Sequence, residues 1–253
     1  MTVFSREAHA ESFGTIAAQY HATRPSYPDV LFDEIERMAR FSLTHATVLD
    51  VGAGTGIASR LLRERGARVI AVEPNVRMAA QLYEYNPEVA LVRARGENLP
   101  FRNQAVDLIT YAQAFHWTDP TQSIREALRV LRPGGALALF WYIRDRAVDW
   151  VGDQEKRLAA ALPSYSYTDV VVFAESLSQQ GMQVCHFEYQ WQREVSIEHH
   201  LADLSSYSYF ALASVAQQKK VLATERMAVL TRFPNGLVID PYRLVLLLGH
   251  SSR

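Results

Sequence analysis

The seven residues Asp50-Val51-Gly52-Ala53-Gly54-Thr55-Gly56 set three alternate glycines directly behind the β-rich run Thr47–Val51. Glycine lets a chain turn sharply and lets backbone approach a ligand that a Cβ would hold off. Two phosphate-binding loops share this look, and neither matches. A P-loop ends in Gly-Lys-Ser/Thr to grip phosphates and magnesium. Here Gly56 is followed by Ile57 and Ala58. The dinucleotide fingerprint needs a third glycine where this chain has Ile57. Asp50 would repel a pyrophosphate but suits an ammonium group. Glu73 ends the next apolar run, Ala67–Val72. A carboxylate there can accept from both vicinal hydroxyls of a ribose. It can equally be an acid favoured by the dipole of the helix that Pro74 and Asn75 open. Taken together, the ligand has a ribose and a positive group and lacks phosphates. S-adenosylmethionine meets all three conditions.

These residues need a scaffold, and the chain alternates strand-like and helix-like segments around them. Strands are expected at Thr47–Val51, Ala67–Val72, Val89–Arg93, Ala105–Tyr111 and Ala136–Tyr142. Helices are expected near Ala58–Arg65, after Asn75, and from Asp119-Pro120 up to Arg132-Pro133-Gly134-Gly135. Near-continuous apolar strands alternating with helices argue for an α/β fold with a parallel sheet covered on both faces. Residues 1–45 show no strand, and Tyr27-Pro28-Asp29 leads into a helix that sets Val30, Leu31, Ile35 and Met38 on one face. Beyond Arg144 the expected elements are helices over Asp149–Leu162, Thr168–Gln180 and Ser214–Phe233, and strands over Met182–Trp191 and Tyr242–Leu248. No repeat or linker is visible, so 1–253 is read as one domain: an N-terminal helical lid (1–45), a ligand-binding core (46–143), and a C-terminal part with a helical cap (144–253).

Composition narrows the function classes. The chain has 253 residues, 26 Lys plus Arg against 27 Asp plus Glu, and a net charge of -1. So balanced a chain has no global field to attract nucleic acid or anionic membrane. One cysteine, Cys185, excludes an internal disulfide and a Cys-based zinc knuckle. Ala136–Ile143 is far short of the ~20 apolar residues a membrane span needs. Arg6, Glu7 and His9 stand where a signal peptide would be apolar, so a cytoplasmic protein without a metal is expected.

Asp50–Gly56 resembles the first motif of class I S-adenosylmethionine-dependent methyltransferases, and Glu73 matches the acid of their second. Gly96-Glu97-Asn98-Leu99-Pro100-Phe101 before Val106-Asp107-Leu108 is similar to the adenine-side loop and fourth strand. Leu131-Arg132-Pro133-Gly134-Gly135 is similar to the turn before the fifth. The likeness covers about residues 46–143. It is greatest to small-molecule enzymes of the ubiquinone-biosynthesis and trans-aconitate type, through Phe13-Gly14 to Tyr20, Arg24-Pro25-Ser26-Tyr27-Pro28, and Gln113-Ala114-Phe115-His116-Trp117. It implies a Rossmann-like seven-stranded sheet with its last strands antiparallel. It also implies that Asp50, Gly52, Ala53, Gly54, Gly56, Glu73, Pro74, Gly96, Glu97 and Gln113 hold S-adenosylmethionine, with S-adenosylhomocysteine as product. Ala94 and Arg95 depart from the usual third loop, which leaves adenine to backbone and Glu97.

The acceptor is expected at the carboxyl ends of strands four and five. Methyl transfer is an in-line displacement, so the protein mainly aligns the partners and excludes water. His116 is the candidate base, needed only for a poorly acidic hydroxyl or amine; it could equally be a structural histidine beside Trp117. Trp117 walls a pocket or packs a loop. Tyr20, Arg24 and Tyr27 lie in the lid-like segment, where Arg24 could hold a carboxylate bidentately or sit at the surface. Tyr142 and Arg144 invite the same two readings. His199-His200 reads as a solvated pair on a helix, and Arg60, Arg63, Arg65 and Arg68 with Glu64 as a solvated face. Tyr165, Tyr167, Tyr207, Tyr209 and Phe210 read as packing rather than cavity. No Asn/Asp-Pro-Pro-aromatic sequence for a flipped base follows strand four. The expected activity is methylation of a small organic molecule, at oxygen before carbon or nitrogen. Its rivals are an S-adenosylmethionine-binding enzyme of another reaction, such as cyclisation, and a nicotinamide-dependent oxidoreductase.

Overall fold

The structure, a computed structural model, describes residues 17–167 and 169–251. Phe13, Gly14 and the start of the expected lid lie outside the described residues. In chain order the elements are α1 (Ala17–Thr23), α2 (Asp29–Ala39), β1 (Thr47–Val51), α3 (Ile57–Glu64), β2 (Arg68–Val72), α4 (Val76–Tyr85), β3 (Ala90–Val92), β4 (Val106–Ala112), α5 (Pro120–Val130), β5 (Leu131–Arg144), α6 (Asp149–Ala161), α7 (Val172–Gln179), β6 (Met182–Ser196), α8 (Ile197–Ser205), α9 (Ser208–Ala211), α10 (Val215–Arg232) and β7 (Leu237–Ser251). They divide between two compact units. One comprises Ser26–Tyr142, Thr168–Tyr189 and Leu244–Arg253, and the other Met1–Pro25, Ile143–Tyr167 and Gln190–Arg243.

The first, the sheet unit, holds a seven-stranded sheet in the order β3-β2-β1-β4-β5-β7-β6, with its last strands antiparallel and helices on both sides. The pairings β3-β2, β2-β1, β1-β4 and β4-β5 are parallel. β1 and β4 are almost wholly buried, because strands covered on both faces carry apolar residues at successive positions. The connections that follow β1 and β4 start at the point where strand order reverses, the place where open α/β sheets take ligands.

Local chemistry fixes the helix starts. The Asn75 side chain accepts the Arg77 and Met78 amides at the head of α4. Asp119 accepts the Gln122 amide, and Pro120 occupies the first turn of α5, where no amide partner is needed. α2 buries Leu31, Phe32, Ile35 and Met38 on one face, with Val30 only half-buried. β5 begins at Leu131, earlier than the expected Ala136. Register jumps from Val106↔Leu131 to Leu108↔Ala136, so Arg132–Gly135 form a bulge inside the strand rather than a turn before it.

The second, the helical unit, contains α1, α6, α8, α9 and α10. Leu158, Leu162, Leu204, Tyr209, Phe210 and Val221 form one buried cluster, against which Tyr165 and Tyr207 pack. Ile197, Leu201, Val229, Phe233 and Val238 form another. α10 opens with a Ser214–Gln217 capping box. β6 and β7 run longer than expected, through Ser196 and from Leu237. His200 corrects the expectation of a solvated histidine pair: it is 2% exposed, its Nδ1 3.5 Å from Asp240. The arginines of α3 and its C-terminal side do form a solvated face, where Arg60 pairs with Glu64 and Arg63 with Glu88.

Candidate functional site

The turn after β1 is built from left-handed glycines. Gly52, Gly54 and Gly56 have φ of 68°, 58° and 85°, a region that costs residues with a Cβ about 1–2 kcal/mol. A Cβ on Gly52 would lie 2.5 Å from the Ala114 Cβ, just past β4. A Cβ on Gly56 would lie 2.7 Å from the Asn86 amide nitrogen. Gly54 differs, for among the described residues a Cβ there meets nothing within 4 Å. Gly52 and Gly56 are therefore demanded by packing, whereas no described residue crowds Gly54. The Gly52 and Ala53 amides donate to the Val72 carbonyl at 2.8 and 3.2 Å, tying the turn to the end of β2.

Glu73 stands next to that tie. One carboxylate oxygen accepts the Gly54 amide at 2.8 Å and the other the Asn75 amide at 2.8 Å. The residue is 5% exposed. Burial pushes its carboxyl above the usual range; the two amide donors oppose this and nearby Asp50 adds to it. Each oxygen keeps a second lone pair, so the group can still accept from a ligand. The Pro74 carbonyl accepts from Arg93 at 2.9 Å.

Asp50 does not present itself as the spacing suggested. It is fully buried, accepting from Ser59 Oγ at 2.6 Å and Thr110 Oγ1 at 2.9 Å. Burial also raises its carboxyl, and the two hydroxyls oppose the rise. Its two oxygens link β1 to α3 and β4. Ser59 and Thr110 were not picked out from the sequence. Thr110 was discoverable as a polar residue in an apolar strand, and it pairs in register with Asp50.

The adenine-side loop is tightly held. A Cβ on Gly96 would lie 2.4 Å from the Tyr111 hydroxyl. Glu97 is already engaged, accepting the Asp119 amide at 2.8 Å where α5 begins.

Gln113 closes β4 in a left-handed conformation, φ 57°. Its amide N–H donates to the Phe140 carbonyl and its side chain to the Tyr142 carbonyl, at 2.9 and 2.8 Å. Phe115–Trp117 then form a single 3-10 turn. His116 Nδ1 accepts from the Trp141 indole at 3.1 Å. An indole nitrogen only donates, so the neutral imidazole carries its proton on Nε2. The Trp117 ring lies against His116, centroids 4.4 Å apart. Tyr142 is 5% exposed and tilts against Tyr27, centroids 5.3 Å apart, while Tyr27 meets Phe140 edge-on. Trp141 was the residue missed here, since only its place on β5 brings it to His116. Tyr20 and Arg24 belong to the helical unit, where the Arg24 guanidinium lies 4.7 Å from the Tyr20 ring and 3.9 Å from the Tyr207 ring.

Part of the chain matches known proteins. Residues 49–139 match a methyltransferase domain family. An uncharacterized methyltransferase of Mycobacterium bovis is 40% identical over 147 residues, which is 58% of this chain and 58% of that protein. The chain thus spans under two thirds of the length of that relative. The structure of a putative type II methyltransferase from Anaeromyxobacter dehalogenans superposes with a TM-score of 0.66 at 23% identity, over 89% of this chain and 96% of the other. A cyclase shares the fold, with a TM-score of 0.61 at 16% identity over 98% and 97% of the chains. The glycine turn and the buried acid after β2 both fall within the segment 49–139 that matches this methyltransferase domain family, and the seven-stranded sheet is the fold shared with these solved structures.

Proposed function

We propose that the protein transfers a methyl group from S-adenosylmethionine to a small organic acceptor, at a hydroxyl or carboxylate oxygen before carbon or nitrogen. The observation that carries this reading is the Gly52–Gly56 turn with Glu73 pinned to it. The turn offers backbone that no described residue crowds at Gly54, and the charge beside it is negative. That suits an uncharged sugar and a cationic ligand and opposes a diphosphate. The residues therefore fit the donor. Bound there, S-adenosylmethionine would supply a methyl group already activated on a sulfonium.

The chain's own part is to bind and align. Glu73 would accept from the ribose hydroxyls. Ala53, Gly54 and Pro74 would line the sugar, and Gly96 and Glu97 the base. Asp50 would act at one remove, holding α3 and β4 against the turn. Gln113 would stay with the donor, and on the acceptor side we assign His116, Trp117, Tyr27 and Tyr142. His116 would donate from Nε2 to the acceptor oxygen, and to serve as a base through Nδ1 it must release Trp141. A cytoplasmic setting is supported by the single cysteine, and no described helix is long and apolar enough to cross a membrane.

Because a cyclase has the same fold, donor binding and methyl transfer need separate tests. Calorimetry should show S-adenosylhomocysteine binding, with no binding of NAD or ATP. Turnover mixtures containing S-adenosylmethionine and candidate acids or phenols should yield S-adenosylhomocysteine in proportion to methylated product. NAD binding would sink the donor assignment. Product formed without S-adenosylhomocysteine would sink methyl transfer.

A further inference from the structure

One aromatic ring on α7 braces both sides of a hydrogen bond at the carboxyl ends of β4 and β5. Phe173 and Leu177, one helical turn apart, are the buried residues of α7. The Phe173 ring stacks on the Trp141 indole at 15°, centroids 5.7 Å apart, and meets the Phe115 ring edge-on at 5.1 Å. Phe115 in turn meets Tyr111 of β4 edge-on at 5.1 Å. Trp141 carries the indole N–H that His116 Nδ1 accepts, and Phe115 is the neighbour of His116 in the 3-10 turn. Phe173 therefore holds the donor of that bond and the turn that carries its acceptor. All of these residues belong to the sheet unit.

Strand alternation fixes the side on which Trp141 stands. Phe140 and Tyr142 both meet Tyr27, so Trp141 between them faces the other side of the sheet. There it is 1% exposed, and a buried indole N–H needs an acceptor. His116 supplies Nδ1, which has one lone pair in the neutral ring. With that lone pair engaged, the ring hydrogen stands on Nε2. In this form the imidazole offers a hydrogen bond, and it cannot take a proton without letting go of the indole.

We infer that Trp141 and Phe173 are positioning residues that hold His116 as a hydrogen-bond donor toward the methyl acceptor and keep it from acting as a base. The tautomer follows from the contacts alone, and only the role toward the acceptor rests on the proposed methyl transfer. The acceptor class narrows with it, to molecules whose reacting oxygen is ionised before they bind. A neutral alcohol must lose its proton, and neither His116 in this form nor the Trp117 indole beside it takes one.

The test uses the full chain with nitrogen-15 in its histidines, as wild type, Trp141→Phe and Phe173→Leu, and His116→Gln identifies the resonances. Wild type should show the Nε2–H form of His116 near neutral pH. Phe173→Leu should give a mixture of tautomers, although Trp141 and His116 are both in place. A purely structural Phe173 would lower Tm and leave the tautomer unchanged, and that result overturns the inference. So does a wild-type spectrum that is mixed or has the hydrogen on Nδ1. Thermal unfolding shows whether Phe173→Leu folds; where it does not, Phe173→Met takes its place, and the wild-type spectrum tests the tautomer in either case.

Turnover with S-adenosylmethionine is followed from about pH 6 to 8, with short-chain and aromatic carboxylic acids and their matched alcohols. Wild type should methylate an acid with a rate nearly flat over that range, and the matched alcohol about tenfold more slowly or worse. A rate that falls as pH is lowered through about 6.5, and loses that fall in His116→Gln, would make His116 a base and overturn the inference. Binding of S-adenosylhomocysteine with no acid methylated would overturn the role toward the acceptor. The expected tautomers without any binding of S-adenosylhomocysteine would leave the positioning of His116 standing and remove the methyltransferase reading.

Discussion

The Gly54 amide donates to the Glu73 carboxylate at 2.8 Å, joining the glycine turn to the residue that follows β2. The contact gives Glu73 two tasks, shaping the turn and receiving the sugar. Glu73→Ala should weaken S-adenosylhomocysteine binding by about tenfold or more, since it strands two hydroxyls and the Gly54 and Asn75 amides. Calorimetry reads this directly. Removing the ribose hydroxyls from the ligand should then cost the variant little and the wild type much. An equal penalty in both proteins would leave Glu73 as a helix-end charge.

The glycines should separate by phenotype. Gly52→Ala drives a Cβ to 2.5 Å from Ala114 and keeps a left-handed φ, so unfolding should become easier by about 3 kcal/mol or more. Gly54→Ala carries only the conformational cost of about 1–2 kcal/mol. Its methyl group would instead occupy the space assigned to the ligand. Denaturant unfolding and donor titration of both variants check the contrast. If Gly54→Ala binds donor normally, the space at Gly54 is not where the ligand lies.

Asp50 makes a prediction about pH. Burial raises its carboxyl above the usual range. A carboxyl raised by folding contributes stability that is complete below its unfolded value and is lost as pH climbs through the raised one. Asp50→Asn removes that loss, and the Ser59 and Thr110 hydroxyls can rotate to serve an amide. The Tm of the variant should therefore gain on wild type as pH rises from about 4. A difference independent of pH would mean that Asp50 is not the titrating group. Donor affinity should change little if Asp50 acts only through Ser59 and Thr110, and a large loss would place its carboxylate on the donor.

His116 should show one tautomer. Nitrogen chemical shifts near neutral pH should place the proton on Nε2, with Nδ1 bare and accepting from Trp141. Trp141→Phe should let the two tautomers mix. A wild-type spectrum with the proton on Nδ1 would contradict the indole bond and restore Nε2 as the basic nitrogen.

Much of the sheet was readable in advance, because a buried parallel strand writes itself as a continuous apolar run and a capped helix writes its first turn. Asp119-Pro120 and Asn75 are such cases. What spacing cannot convey is which way a polar residue in a strand faces. Asp50 had the right type and position, yet its partners come from α3 and β4, which sequence order does not place beside it. The Arg144–Asp240 pair spans 96 positions and has no periodicity to betray it. α8 did carry a pattern, with Ser196 as its cap and Ile197, Leu201 and Leu204 buried at helical intervals. The long apolar-polar alternation of β6 just before it hid where the strand ended.

Gln113 holds a backbone shape that few side chains tolerate, and it clamps β4 to β5 through both its main chain and its amide. Substitutions that retune which acceptor is taken therefore have little freedom at this residue, where glycine or asparagine are the conformationally cheap replacements. Diversity between enzymes built on this plan should concentrate instead in the short turn 115–117, which can change its side chains while the clamp beneath it stays put.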